Sequence, residues 1–323
     1  MIPALGPGEE FDRIRAVARA LGDAAAGLDD DCALLPPGAG MLAASTDVSV
    51  EGVHFRLDWI SLREAGWRAA SAALADLAAE GAEPVGLLAA VVAPRGAGEG
   101  ELVELMRGVG DSAAAAGTVV LGGDLARAGA DGGWSVAVTV LGRAAHPVTR
   151  AGARPGDGLW VTGALGGARA ALEAWRRGDA PDPDARQAFA APVPRLAAGR
   201  WLAGHGARAM LDISDGLAGD AAHLAAASGV AIELELELVP VHPSAIPAAR
   251  RLELPVQQFA AEAGEDYELL AALPDGFGAA EAREFERVCG IALTRIGRAA
   301  RGTGVRAGLA GRPLSLRGFD HFR

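Results

Sequence analysis

Residues 208–217 read Arg-Ala-Met-Leu-Asp-Ile-Ser-Asp-Gly-Leu, and Ala-Gly-Asp-Ala-Ala-His-Leu-Ala-Ala-Ala-Ser follows. An apolar run closes on a carboxylate, Asp212. A hydroxyl and a second carboxylate, Ser214 and Asp215, then stand before a glycine and an Ala/Leu stretch. The pattern predicts a strand over 208–213 and a helix over 215–228. A strand that hands over to a helix through an acidic turn is the repeating unit of an α/β protein. Asp29-Asp30-Asp31, Ser45-Thr46-Asp47, Gly122-Gly123-Asp124 and Gly264-Glu265-Asp266 repeat the theme, most of them against apolar runs.

The rest of the chain parses in the same way. Helices are expected over 8–22, 61–80, 98–116, 167–177 and 194–204. Strands are expected over 32–35, 41–50, 85–93, 118–121, 134–141, 159–162 and 230–238. Residues 178–184 read as a polar loop and 240–247 as a Pro-rich one. The stretch 143–158 has two prolines, three glycines and no periodicity, which marks a domain boundary. The expected organisation is α/β with mixed α+β sheets in two domains, 1–148 and 149–323.

Composition removes several functions. The 323 residues carry a formal net charge of −11, which argues against a nucleic-acid partner. All thirty basic residues are arginine, so a Walker A loop, a protein-kinase strand lysine and a pyridoxal Schiff base are all excluded. Cys32 and Cys289 have no metal-ligand spacing, and a reduced cytoplasmic setting is the simplest account. No run reaches the length of a membrane helix and none resembles a secretory signal, so a soluble protein is expected.

Each motif has a plain structural reading. Ser214 would be an N-cap with Asp215 on the helix dipole. Ser45-Thr46-Asp47 and Gly122-Gly123-Asp124 would be turns, Asp76 part of a solvated helix face, and Asp29–Asp31 an acidic loop. Taken together they point elsewhere. Carboxylates gathered without His or Cys repel one another unless a hard cation such as Mg²⁺ lies between them. The turn Trp160-Val161-Thr162-Gly163-Ala164-Leu165-Gly166-Gly167 mimics a dinucleotide loop. Arg169 stands where a third glycine belongs, and no acid ends a second strand about 20 residues on.

The ordered series Asp30-Asp31-Cys32-Ala33-Leu34-Leu35, Ser45-Thr46-Asp47 with His54-Phe55, Asp76-Leu77-Ala78-Ala79, Gly122-Gly123-Asp124, Asp212-Ile213-Ser214-Asp215-Gly216-Leu217, Gly264-Glu265-Asp266-Tyr267-Glu268-Leu269 and Gly318-Phe319-Asp320-His321-Phe322 resembles the thiamine-monophosphate kinase family. It belongs to a wider ATP-using superfamily with aminoimidazole ribonucleotide synthetase. The resemblance implies that superfamily's two-domain fold, an N-terminal sheet that pairs across a homodimer, and ATP in a cleft with several Mg²⁺ ions. It implies Asp31, Ser45, Thr46, Asp47, Asp76, Asp124, Asp212 and Asp215 as metal ligands. Thr46, Gly122, Gly123, Arg150 and Ser214 would contact the nucleotide, and His54, Glu265 and Phe319 would border thiamine monophosphate. Asp47, Asp215 and Arg150 would carry the chemistry.

The sequence departs from the family pattern twice: Asp29 stands where glycine usually precedes the Asp-Asp pair, and Ala263 replaces the first glycine of Gly-Gly-Glu-Asp. Rival readings are a selenophosphate synthetase-like or aminoimidazole ribonucleotide synthetase-like enzyme, or a non-catalytic thiamine-phosphate sensor. The first would need a reactive Cys near the N-terminus. A hydrogenase maturation factor would end in cysteine, whereas this chain ends Phe-Arg.

Overall fold

The structure, a computed structural model, describes residues 9–24 and 38–318. Asp29–Asp31, the strand expected over 32–35 and Phe319 lie outside the described residues. The chain divides into two compact units. One comprises residues up to Leu77, Glu83–Ala145 and Ala190–Pro192; the other comprises Ala78–Ala82, His146–Phe189 and the residues from Val193 on. Among the described residues no helix is long and apolar enough to cross a membrane.

The first unit holds α1 (Glu9–Leu21), β1 (Met41–Val50), α2 (Leu62–Ala79), β2 (Glu83–Ala93), α3 (Glu99–Ala115), β3 (Val120–Arg127) and β4 (Ser135–Ala144). Its sheet runs β1-β4-β2-β3, antiparallel except for the parallel β2–β3 pair joined through α3. Alternation along the strands makes one face: Val136, Val138, Val140, Leu87, Ala89 and Val91 are buried on it. Nearly every residue of α2 from Ala65 on is buried, as expected of a helix that is apolar all round.

Two expectations for this unit change. Gly122-Gly123-Asp124 is not a turn after a short strand but lies within β3, paired to Leu88, Ala89 and Ala90 of β2. Glycine permits the pairing, because a Cβ on Gly123 would fall 1.9 Å from the Ala89 carbonyl oxygen. Pro84 is inside β2 rather than before it, at a register shift between Pro84 and Gly86, where a missing N–H costs least.

The second unit adds β5 (Gly158–Thr162), α4 (Gly167–Arg176), α5 (Pro183–Ala190), α6 (Leu196–Gly204), β6 (Ala209–Asp212), α7 (Leu217–Ser228), β7 (Ala231–Glu235), α8 (Ala245–Arg251), α9 (Val256–Ala261), β8 (Leu269–Leu273), α10 (Ala279–Cys289), β9 (Leu293–Ala300), β10 (Gly304–Leu309) and β11 (Arg312–Leu314). Its seven strands run β11-β10-β7-β9-β5-β8-β6. Leu159, Val161, Leu211, Ile213, Leu217, Leu224, Ile232 and Ile296 fill a continuous core beneath α7. The expected polar loop over 178–184 is cut short by α5, which opens on Pro183, a residue suited to a first helical position. The strand expected over 230–238 stops at Glu235 and tightens into a 3₁₀ turn over Leu236–Leu238.

Candidate active site

In the first unit the alternation of β1 sorts its acidic cluster. Ser45 and Asp47 face α2, and Ser45 Oγ donates to Asp76 Oδ2 at 2.5 Å. Thr46 points to the opposite face, where its hydroxyl lies 2.7 Å from that of Thr139. Burial, and then the neighbouring Asp76 carboxylate, push Asp47 from 3.8 up to about 6. Asp76 is therefore not part of a solvated face. It projects from a buried helix toward the strand.

Register places the remaining residues. Asp47, Val138, Ala89 and Gly123 form one cross-strand row, so Gly123 shares the Asp47 face at the far edge of the sheet. Three strand spacings separate them, about 14 Å. Asp124 and Gly122 occupy the alternate rows with Val48 and Thr46, and Asp124 is exposed. The sheet thus sorts the candidates into one set facing the helices (Ser45, Asp47, Gly123), where Asp76 of α2 meets them, and another facing away (Thr46, Gly122, Asp124). His54 sits in the turn after β1, where its Nδ1 accepts the Val50 N–H at 3.1 Å. That bond leaves the proton on Nε2.

In the second unit Asp212 ends β6 opposite Leu269 and is buried. The following turn is fastened on one side to the Gly264–Leu269 segment. Ile213 N–H donates to the Glu268 carbonyl (2.7 Å), Glu265 N–H to the Ser214 carbonyl (2.7 Å), and Tyr267 N–H to the Ile213 carbonyl (2.9 Å). Glu265 and Tyr267 hold φ of 66° and 51°, left-handed values that cost non-glycine residues of order 1–3 kcal/mol each. Ser214 is not the N-cap. Gly216 takes that position, with φ 93° and no capping side chain. The cap comes instead from Asp220 within α7, whose Oδ2 accepts the Asp215 N–H at 3.1 Å. Burial raises Asp220 to about 8, with Asp212 and Asp215 adding to the shift.

The acids after Glu265 are structural. Both oxygens of Asp266 lie 3.0 Å from the Gly166 N–H at the start of α4, so the glycine-rich turn binds an internal carboxylate. Buried Glu268 accepts from Thr162 Oγ1 (2.6 Å) and is gripped by Arg195 through Nε (2.9 Å) and Nη2 (2.6 Å). Gly318 packs on Gly219 in the first turn of α7, bringing the chain up to the Asp215 turn just before Phe319. The Arg150 carbonyl accepts from Ser228 Oγ at the C-terminal end of α7, roughly 18 Å of helix from its start. The Arg150 side chain is exposed.

The donor set suits a hard cation. Ser45, Asp47 and Asp76 offer oxygen only, and a divalent ion would offset both the burial and the Asp76 repulsion that lift Asp47. Among the described residues no three acidic, His or Cys groups are gathered closely enough to hold a metal by themselves. Mg²⁺ suits such sparse sites, because it retains waters and takes one or two carboxylates with substrate phosphates. Sequence reasoning missed Asp220. Its signal was the one Asp76 gave, a lone acid inside an Ala/Leu helix.

Comparison with known proteins adds a consistent set of likenesses. The AIR synthase related protein N-terminal domain matches residues 29–144, and the corresponding C-terminal domain matches 154–309. A thiamine-monophosphate kinase of Caulobacter vibrioides is 34% identical over 97% of this chain and 90% of its own length. The crystal structure of the thiamine-monophosphate kinase from Stenotrophomonas maltophilia superposes with TM-score 0.81 and 31% identity, covering 96% of this chain and 98% of that one. A structure described as AaThiL complexed with AMPPCP and TMP superposes at 0.78 with 29% identity, covering 97% of both chains. The hydrogenase maturation protein HypE in complex with ATP reaches 0.82 at 20% identity over 99% of this chain and 97% of its own, a likeness of fold alone.

Proposed function

The chain belongs to the AIR synthase related family and, within it, to the thiamine-monophosphate kinases, and from that premise we propose a direct, Mg²⁺-dependent transfer of the ATP γ-phosphoryl group to thiamine monophosphate. The protein is a phosphotransferase with a phosphate group as acceptor. The observation that carries the reading is its 31% identity, over 96% of its length, to a thiamine-monophosphate kinase of the same fold. The relative complexed with AMPPCP and TMP supports ATP and thiamine monophosphate as the two substrates.

In the proposed step an oxygen of the acceptor phosphate forms a bond to the γ-phosphorus as the bond to the β–γ bridging oxygen breaks. Thiamine diphosphate and ADP leave. The acceptor oxygen is already anionic near neutral pH, so no strong general base is required. The demand is to bring two polyanions together in line, which is met by positioning and charge neutralisation. When bound, Mg²⁺ supplies that neutralisation at the phosphate oxygens.

Asp47 and Asp76, with Ser45, are proposed to hold the cation in the first unit, and Asp212 and Asp215 in the second. Asp124 and Thr46 are proposed as ligands from the other sheet face, and Asp31 completes the proposed set. Gly122, Gly123 and Ser214 are proposed to lie against the nucleotide. Arg150 would reach its phosphates through its side chain alone, since its backbone is held at the far end of α7. His54 Nε2–H, Glu265 and Phe319 are proposed to border the thiamine, where a carboxylate and ring faces complement a cationic heterocycle.

A homodimer is proposed on two observations. β1 is an edge strand, and Met41, Leu42 and Val48 on it are exposed. Cytoplasmic residence is proposed because the reaction consumes ATP. The stereochemical course tests the direct transfer: a chiral γ-thiophosphate should be inverted in thiamine diphosphate, and retention would indicate a phosphoenzyme instead.

A further inference from the structure

We infer that Asp220 is a positioning residue for the turn that presents Asp212 and Asp215. The inference rests on the phosphotransferase reading above and extends it to a residue that the reaction itself does not require. Asp220 is 5% exposed on the first stretch of α7. Its carboxylate reaches back out of the helix and accepts the Asp215 N–H at 3.1 Å. The opposite side of the same turn is fastened by the Glu265 and Tyr267 amides. The turn is therefore clamped from both flanks, with the Asp220 side chain holding the Asp215 amide.

The choice of residue is informative. A neutral Ser or Asn would satisfy that amide without charge, whereas Asp220 adds a buried carboxylate beside buried Asp212 and half-buried Asp215. Burying charge beside like charge opposes folding. A cation beside the cluster would relieve that repulsion, and Asp220 is placed to hold the turn that carries the two proposed ligands. Asp220 would orient the two proposed ligands in the way that outer-shell carboxylates orient metal ligands elsewhere.

The test uses the full-length protein as wild type, Asp220→Ala and Asp220→Asn, with Asp215→Asn as a reference. Mn²⁺ binding is followed by electron paramagnetic resonance without nucleotide, alongside kcat, KM and Tm. Asp220→Ala should weaken Mn²⁺ binding and lower kcat by about 10–100-fold, with KM for thiamine monophosphate within about threefold of wild type. Asp220→Asn keeps one acceptor oxygen and should fall between the two. Mn²⁺ binding and kcat within twofold of wild type, with or without a fall in Tm, would overturn the inference. If Asp220→Ala does not fold, Asp220→Asn decides by the same criteria. Should the wild type form no thiamine diphosphate, the kinase reading fails, and the Mn²⁺ titration still decides the role of Asp220.

Discussion

Ser45 Oγ on β1 donates to Asp76 Oδ2 on α2 over 2.5 Å, tying an edge strand to the only acid in the buried stretch of that helix. The bond fixes the carboxylate that stands beside Asp47. Removing it in Ser45→Ala should reduce turnover by about tenfold, and Asp76→Asn by about 10–100-fold, with folding intact. Steady-state kinetics at saturating Mg²⁺, with circular dichroism on both variants, checks this. Equal turnover in all three proteins would remove Asp76 from the site.

Asp47 and Asp215 are proposed as direct ligands, so neutralising either should be more damaging. Asp47→Asn and Asp215→Asn should each lower kcat by orders of magnitude while the protein stays folded. Near-normal turnover by both at saturating Mg²⁺ would contradict the metal assignment.

The metal-free protein should lose stability as pH rises from about 4 to 8. Asp47 and Asp220 bind protons more tightly when folded, at about 6 and about 8, than their ordinary value of 3.8. Their stabilising protonation is complete below about pH 4 and is lost as pH climbs through the folded values. Asp220→Asn should flatten the upper part of this decline, and Mg²⁺ should oppose it. Urea midpoints at pH 5, 6, 7 and 8 measure the effect; a wild-type midpoint that rises across the range would contradict it.

The Arg195–Glu268 pair serves the fold. Glu268 is almost wholly buried, and deletion of its two-pronged partner leaves a buried charge uncompensated. Arg195→Ala should destabilise by about 3–5 kcal/mol, and the Glu268→Gln change combined with it should recover part of that loss. Denaturant titration of the single and double variants provides the comparison, and an Arg195→Ala protein as stable as wild type would refute the role.

Much of this was legible in the sequence, and the exceptions have physical causes. Periodicity located α2, α3, α4, α6 and α7 to within a residue or two, because long Ala/Leu stretches bury one way. The Asp212–Asp215 turn was legible because an apolar strand ends on charge. β3 was read too short, since Gly122-Gly123 resembles a turn until Ala89 is found pressed against it. Ser45, Thr46 and Asp47 read as one oxygen cluster, yet strand alternation sends Thr46 to the opposite face. Asp220 carried only the weak signal of a lone acid in an Ala/Leu helix, and the Arg195–Glu268 pair was not legible because its partners stand 73 residues apart.

The most direct measurement is product identity. Purified protein incubated with ATP, Mg²⁺ and thiamine monophosphate should yield thiamine diphosphate and ADP in equal amounts, with formation abolished by a chelator and restored by Mg²⁺. Release of ADP without thiamine diphosphate, or no reaction at all under those conditions, would contradict the account.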